Sequence, residues 1–204
     1  MKAPIDPAEA EVAAATAETL EGLEASLSGC ERCVLATGRT KLVFGVGSGN
    51  ARLMFVGEGP GRDEDLQGIP FVGKAGELLT KMILAMGLTR EEVYIANVVK
   101  CRPPRNRNPE PDEVLQCSPF LRRQIALVQP EVIVSMGKFA TETLFGEKLS
   151  ILRTRGNWGA YEGVPLMPTL HPAYLLRNPS AKRDAWSDLQ KVMARMGLES
   201  PKRG

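Results

Sequence analysis

The sequence contains one histidine, His171, and with it too little imidazole for the histidine and carboxylate cluster that a metal-dependent hydrolase would need. It has no run approaching the ~18 apolar residues of a membrane span. Its opening, MKAPIDPAEAEVAAA, places acids where a signal peptide requires an apolar stretch, so a cytoplasmic protein is expected. No GxxxxGKS/T motif is present, which removes the P-loop class. Gly45-x-Gly47-x-Gly49 precedes a second strand-like run where a dinucleotide-binding fold requires a helix, and that class is rejected as well. Internal repeats are absent. Excess charge is also lacking: a formal net charge of +2 does not by itself mark a nucleic-acid binder. Its distribution says more, because residues 1–29 hold six acids and one lysine, leaving +7 on the remainder. A polyanion would therefore meet the body of the protein and not its N-terminal segment.

What is present describes a chain with one sizeable core. The 204 residues are 43% hydrophobic and 25% charged, with 20 glycines and 15 prolines that predict a loop-rich fold. Residues 7–28 are rich in Ala and Glu, with Leu20, Leu23 and Leu27 at helical spacing. They predict one helix with Asp6 as its N-cap and Pro7 at its first position. A short strand or hairpin arm is expected over 39–45. Apolar runs predict strands at 53–57, 93–99, 132–136 and 166–170, and helical patterns occur at 76–87, 112–128, 138–145 and 181–196. Pro119 predicts a kink or break within the second of these helices. Alternating strands and helices imply a parallel sheet covered on both faces, whose ligands bind beyond the C-terminal strand ends. Glu58, Asn97 and His171 all lie at or just past such ends. The expected organisation is an N-terminal helical extension over 1–29 packed on a core domain at 30–196, with a flexible tail at 197–204.

Four cysteines, Cys30, Cys33, Cys101 and Cys117, form a C-x2-C pair and a later C-x15-C pair. In a cytosolic setting a disulfide framework is disfavoured, which leaves metal binding or simple burial. The close pair after a helix and the third cysteine beside a Pro-rich loop favour one four-thiolate site. Spacing alone does not choose between tetrahedral zinc and a 4Fe-4S cluster.

Taken together, GEGPG at 57–61, PFVGKAG at 70–76, NVVKCRPP at 97–104 and HPAYLLR at 171–177, with the four cysteines, closely resemble the iron-sulfur, family 4 uracil-DNA glycosylases over about residues 30–196. The resemblance implies an α/β fold, a three-layer α/β/α sandwich with a central four-stranded parallel sheet. It implies a 4Fe-4S cluster held by Cys30, Cys33, Cys101 and Cys117 in a mainly structural role. The implied activity is that of a monofunctional glycosylase, which flips uracil out of DNA and hydrolyses its N-glycosidic bond to leave an abasic site.

By the same resemblance, Phe71 is the aromatic platform under the flipped base, and Asn97 reads uracil N3–H and O4. His171 stabilises the leaving uracil anion, and Glu58 orients water or stabilises the cationic sugar. Gly57, Gly59 and Pro60 line the pocket, the last two near uracil C5. Lys100, Arg102, Arg105 and Arg107 form a basic DNA-contact loop. Tyr174, Leu175, Leu176 and Arg177 resemble a loop that wedges into the duplex, with Arg177, Lys182 and Arg183 gripping phosphates. The expected partner is uracil-containing DNA, single- or double-stranded, bound by a monomer, and no motif is strong enough to name a repair or clamp partner. One rival is a subtype that traps uracil DNA covalently; it resembles a GEQPG turn with a histidine-containing insertion, whereas this chain has Gly59 and one histidine. Another is a non-catalytic iron-sulfur or zinc protein that binds nucleic acid.

Overall fold

The computed structural model describes residues 7–199. The expected N-cap Asp6 and the last five residues of the expected tail, 200–204, lie outside the described residues. Six strands, β1 (Val46–Gly47), β2 (Leu53–Gly57), β3 (Tyr94–Asn97), β4 (Val132–Met136), β5 (Gly159–Tyr161) and β6 (Val164–Thr169), form one sheet in the order β1-β3-β2-β4-β6-β5. The inner four run parallel, while β1 and β5 pair antiparallel at the two edges. The expected four-stranded parallel sheet is thus corrected to a mixed sheet of six. Both edge strands are two or three residues long, too short for a periodic pattern. β5 exists because Glu162 and Gly163, both at positive φ (47° and 84°), make a two-residue hairpin turn that folds it onto β6.

Nine helices accompany the sheet among the described residues: α1 (Pro7–Ala15), α2 (Leu20–Ser26), α3 (Arg62–Gln67), α4 (Lys74–Ala85), α5 (Pro111–Val128), α6 (Lys138–Phe145), α7 (Ile151–Thr154), α8 (Pro172–Arg177) and α9 (Lys182–Met196). The inner strands are buried on both sides, and their alternation sorts the core into two layers. Met54, Val56, Ala96 and Ile133 pack with Leu121 and Ile125 of α5 and Ala140 and Leu144 of α6. Leu53, Phe55, Ile95 and Val134 pack with Leu79 and Ile83 of α4 and Leu189 and Val192 of α9. The result is an α/β/α three-layer sandwich.

Three local expectations differ from the structure. The helix expected over 7–28 is two helices, because Thr19 adopts an extended backbone and its side chain accepts the Gly22 N–H at 3.1 Å, starting a new N-terminus. Both pieces pack through Ala10, Ala14, Leu23 and Leu27 against Phe120 of α5. Pro119 does not break α5, which runs 18 residues through it. Residues 39–45 form no strand; Val43 N–H bonds instead to the Lys100 carbonyl at 2.8 Å. Among the described residues no helix is long and apolar enough to cross a membrane.

From β2 the chain crosses to β3 on one side, and from β3 it returns past β2 to β4 on the other. The carboxyl ends of β2 and β4 therefore mark a switch point, where connections leave in opposite directions and a crevice opens.

Candidate active site

A cavity of about 560 Å³ occupies that crevice, with Glu58, Phe71, Asn97, Gly137 and His171 in its walls. Glu58 directly follows β2, Asn97 ends β3, Gly137 follows β4, and His171 stands two residues past β6. Four parallel strands thus each deliver one wall residue. Gly57 is needed for their convergence: a Cβ there would overlap Asn97 Oδ1 and stand 2.6 Å from Phe71 Cζ. Gly59 likewise packs so closely on the segment after β3 that a Cβ would approach Val99 Cγ2 to 2.7 Å.

Phe71 has φ 55°, a left-handed conformation that is strained for an aromatic residue. Its surroundings enforce it. The Glu64 carboxylate accepts N–H bonds from Gly61, Val72 and Gly73 at 3.0–3.1 Å, and Arg90 donates to the Pro70 carbonyl at 2.9 Å. Gly76, without a side chain, lets α4 start directly against the Phe71 carbonyl.

Asn97 is 2% exposed, and its Oδ1 has no hydrogen-bond partner. Buried acceptors are almost always satisfied, so this orphan, on a residue that lines the cavity, is an acceptor open to a donor. Its backbone carbonyl accepts from Lys100 Nζ at 2.8 Å. His171 caps α8, its Nδ1 accepting the Ala173 N–H at 3.1 Å. That bond leaves the neutral ring's proton on Nε2. Burial, reinforced by Arg177 and opposed by Glu64, pushes the His171 pKa down to about 4, so the imidazole is neutral at neutral pH. Its ring lies 5.6 Å from that of Phe71, tilted by 34°. Burial also raises the Glu58 carboxyl above the usual carboxylate range.

The expected DNA-contact residues divide sharply. Lys100 is fully buried, its ammonium held by the Asn97 carbonyl and, at 2.5 Å, by Gln124 Oε1, so it does not reach a phosphate. Leu175 is 1% exposed and packs with Leu170 and Ala185, so it is core and not wedge. Both assignments are corrected. Arg107 is bound through both terminal nitrogens to the buried Glu113 at 2.6 and 2.8 Å. Arg102 is partly buried and bonds to Asn106, whereas Arg105 is exposed. The segment 172–177 is the short helix α8, which leaves Leu176 42% exposed beside an exposed Arg177 and a half-buried Tyr174. Lys182 and Arg183 are exposed at the start of α9. Sequence reasoning missed Lys74 and Lys138, exposed cations that open α4 and α6 at the cavity rim. Their signal was the Gly-Lys step after a strand or loop, Gly73-Lys74 and Gly137-Lys138.

The cysteines do not form the expected metal centre. Cys30, Cys33, Cys101 and Cys117 border one small cavity as free thiols, but among the described residues no group of three or more His, Cys, Asp or Glu could hold a metal ion. This overturns the 4Fe-4S cluster and the iron-sulfur and metal-binding character that went with it. Arg32 Nη1 donates to Cys30 Sγ at 3.2 Å, Arg39 Nη1 to Cys101 Sγ at 3.4 Å, and the Lys100 N–H to Cys117 Sγ at 3.3 Å. Burial pushes the Cys33 thiol up to about 11 and the Cys117 thiol to about 12, and raises Cys101 too.

Comparison with known proteins follows the same line as the geometry. The model of the uracil DNA glycosylase superfamily matches residues 44–190. The chain is 42% identical over 194 residues to the type-4 uracil-DNA glycosylase of Archaeoglobus fulgidus, covering 90% of this chain and 96% of that protein. It is 46% identical over 181 residues to the type-4 uracil-DNA glycosylase of Thermotoga maritima, covering 86% and 93%. With the type-4 enzyme of Sulfurisphaera tokodaii the identity is 45% over 184 residues, covering 86% and 84%.

Proposed function

The chain belongs to the uracil-DNA glycosylase superfamily and, within it, to the type-4 uracil-DNA glycosylases; it is an enzyme that releases uracil from DNA, and we propose that Glu58, Phe71, Asn97 and His171 carry the reaction. The observation that carries this reading is the buried, unpartnered Asn97 Oδ1 beside the Phe71 ring. A base within a duplex is out of reach of such a cavity, so the nucleotide is flipped into it and stacks on Phe71. Asn97 Oδ1 then accepts from uracil N3–H while its amide nitrogen donates to O4. Cytosine presents the opposite pattern and would leave both groups unpaired, at about 1–3 kcal/mol each.

As the N-glycosidic bond lengthens, positive charge grows on the sugar and negative charge on uracil O2. The neutral His171 donates Nε2–H to that oxygen, fixed in orientation by the Ala173 N–H on its other nitrogen. The Glu58 carboxylate faces the sugar side, where it holds the attacking water and stabilises the cationic sugar. Water adds to C1′ and gives one proton to the Glu58 carboxylate, the bonding pair leaves with the base as the uracil anion, and an abasic site remains, so the enzyme is monofunctional. Gly59 and Pro60 form the wall near uracil C5. Arg102, Arg105, Tyr174, Leu176, Arg177, Lys182 and Arg183, with Lys74 and Lys138, make up the DNA-contact face. The reading takes residues 30–196 as the glycosylase domain of a cytoplasmic monomer, with the helices before it as an extension packed on α5.

Single-turnover cleavage of matched uracil- and thymine-containing oligonucleotides tests the reading, with alkali added afterwards. Strand breaks at uracil alone, and only after alkali, are expected. Binding without base release would overturn it.

A further inference from the structure

Outside the cavity, a buried ion pair stands against the strand that delivers His171. Asp188 of α9 is 1% exposed, and Arg155 grips its carboxylate at 2.9 Å through Nε and 2.6 Å through Nη2. The same carboxylate accepts the Thr169 hydroxyl at 2.8 Å. Thr169 is fully buried, ends β6 and lies two residues before His171. Its carbonyl accepts the Gly137 N–H at 2.9 Å, and Gly137 sits so close to the histidine that a Cβ there would be 2.9 Å from His171 Cβ. Gly156 closes the assembly: its N–H donates to the Pro168 carbonyl at 2.9 Å, and its own carbonyl accepts from Lys191 Nζ at 2.7 Å.

Buried ion pairs lose so much solvation that apolar replacements are often as stable, so stability alone gives little reason for one here. This pair does something an apolar cluster would not. It presents a carboxylate oxygen at a fixed point to one hydroxyl, and that hydroxyl belongs to Thr169, from which Leu170 alone leads to the catalytic imidazole. Arg155 also donates to the Asp184 carbonyl, which ties in the end of α9 that carries Lys182 and Arg183.

We propose that Thr169 and Asp188, with Arg155 as counter-ion, are positioning residues that set where His171 stands against the departing base. None of them reaches the reacting atoms. The inference rests on the reading of His171 as donor to the uracil anion, and the effect belongs to the chemical step, because misplacing a catalytic group by about 1 Å costs on the order of a hundredfold in rate.

The test compares Thr169→Val, which keeps the shape and removes the hydroxyl, with Thr169→Ser, which keeps the hydroxyl. Single-turnover rate, affinity for uracil-containing duplex and thermal melting are read on each full-length variant, at a temperature where its melting curve shows it folded. T169V should lose roughly tenfold to a hundredfold in single-turnover rate while duplex affinity stays within about threefold, and T169S should recover most of that loss. Asp188→Asn should fall in rate in the same direction as T169V. A T169V enzyme as fast as the parent, or a T169S enzyme as slow as T169V, overturns the inference. A parent protein that releases no uracil would instead overturn the function itself, so the two failures are distinguishable.

Discussion

Replacing Asn97 by Ala separates catalysis from folding in a way that follows directly from its environment. In the unliganded protein the Asn97 Oδ1 is buried without a partner, which costs the folded state about 1–3 kcal/mol. Truncation removes that cost while also removing packing atoms, and the two effects oppose each other. The melting temperature of N97A should therefore stay within a few degrees of the parent, since about 1 kcal/mol corresponds to roughly 2–4 °C in a domain of this size. In the complex the balance reverses. Uracil N3–H and O4 both lose their partner in a desolvated pocket, at about 1–3 kcal/mol each. The combined loss of about 2–6 kcal/mol corresponds to a fall in single-turnover rate of roughly 30-fold to 10⁴-fold. Single-turnover cleavage and differential scanning calorimetry on the same preparation measure both quantities. An N97A enzyme that cleaves within about threefold of the parent would refute the role in base reading. A drop of ten degrees or more in melting temperature would refute the assignment of Oδ1 as an unsatisfied group.

Other consequences follow from the same geometry. Glu58→Gln should abolish most turnover yet stabilise the fold at neutral pH, because burial raises the carboxyl's pKa and so disfavours its charged form. That gain should shrink as acid protonates Glu58 in the parent, and denaturation curves between pH 7 and 4 that show a constant difference would contradict it. His171 has its pKa lowered to about 4 from 6.5, so the unfolded chain takes up its proton first. Its neutral burial should cost the parent stability progressively as pH falls from about 6.5 towards 4. His171→Gln should lack that component, and parallel pH profiles of the two proteins would count against it. Leu175→Ala should destabilise by about 2–5 kcal/mol as a core truncation, whereas Leu176→Ala should melt like the parent and lose cleavage of duplex more than of single strands. Equal melting behaviour of the two variants would place both residues on the surface.

The fold was legible where apolar pattern and length agreed. The strands at 53–57 and 132–136 and the helix at 138–145 match the structure residue for residue, because the strands are fully buried runs and the helix is an amphipathic pattern bounded by Gly137 and Gly146. Edges were not legible, since β1 and β5 owe their existence to partners distant in sequence or to a turn. The wall residues Glu58, Asn97 and His171 could be found because parallel strands deliver ligands at their carboxyl ends. Lys100 and Leu175 differ from expectation for separate reasons: the expected exposure of Lys100 comes from its basic neighbours, that of Leu175 from the resemblance to a wedge loop. Lys100 lies in a basic run yet points inward to Gln124, and Leu175 sits on the inner side of a short helix read as a loop. The four cysteines share a cavity, but sharing a cavity is a weaker condition than ligation, and spacing along the chain carries no information about the difference.

The left-handed backbone at Phe71 has a kinetic consequence. Three amides locked on the Glu64 carboxylate fix the aromatic ring in its final orientation before any nucleotide arrives. On the proposed reading of Phe71 as the platform, an extruded base meets a finished receptacle, and little of the encounter is spent on rearranging the loop. Capture is then expected to keep time with the duplex, with the frequency at which a nucleotide leaves its own stack as the clock. On that reading, the identity of the opposing base is expected to enter the turnover of double-stranded substrates, and cleavage of a single strand, with no pair to open, to be independent of it.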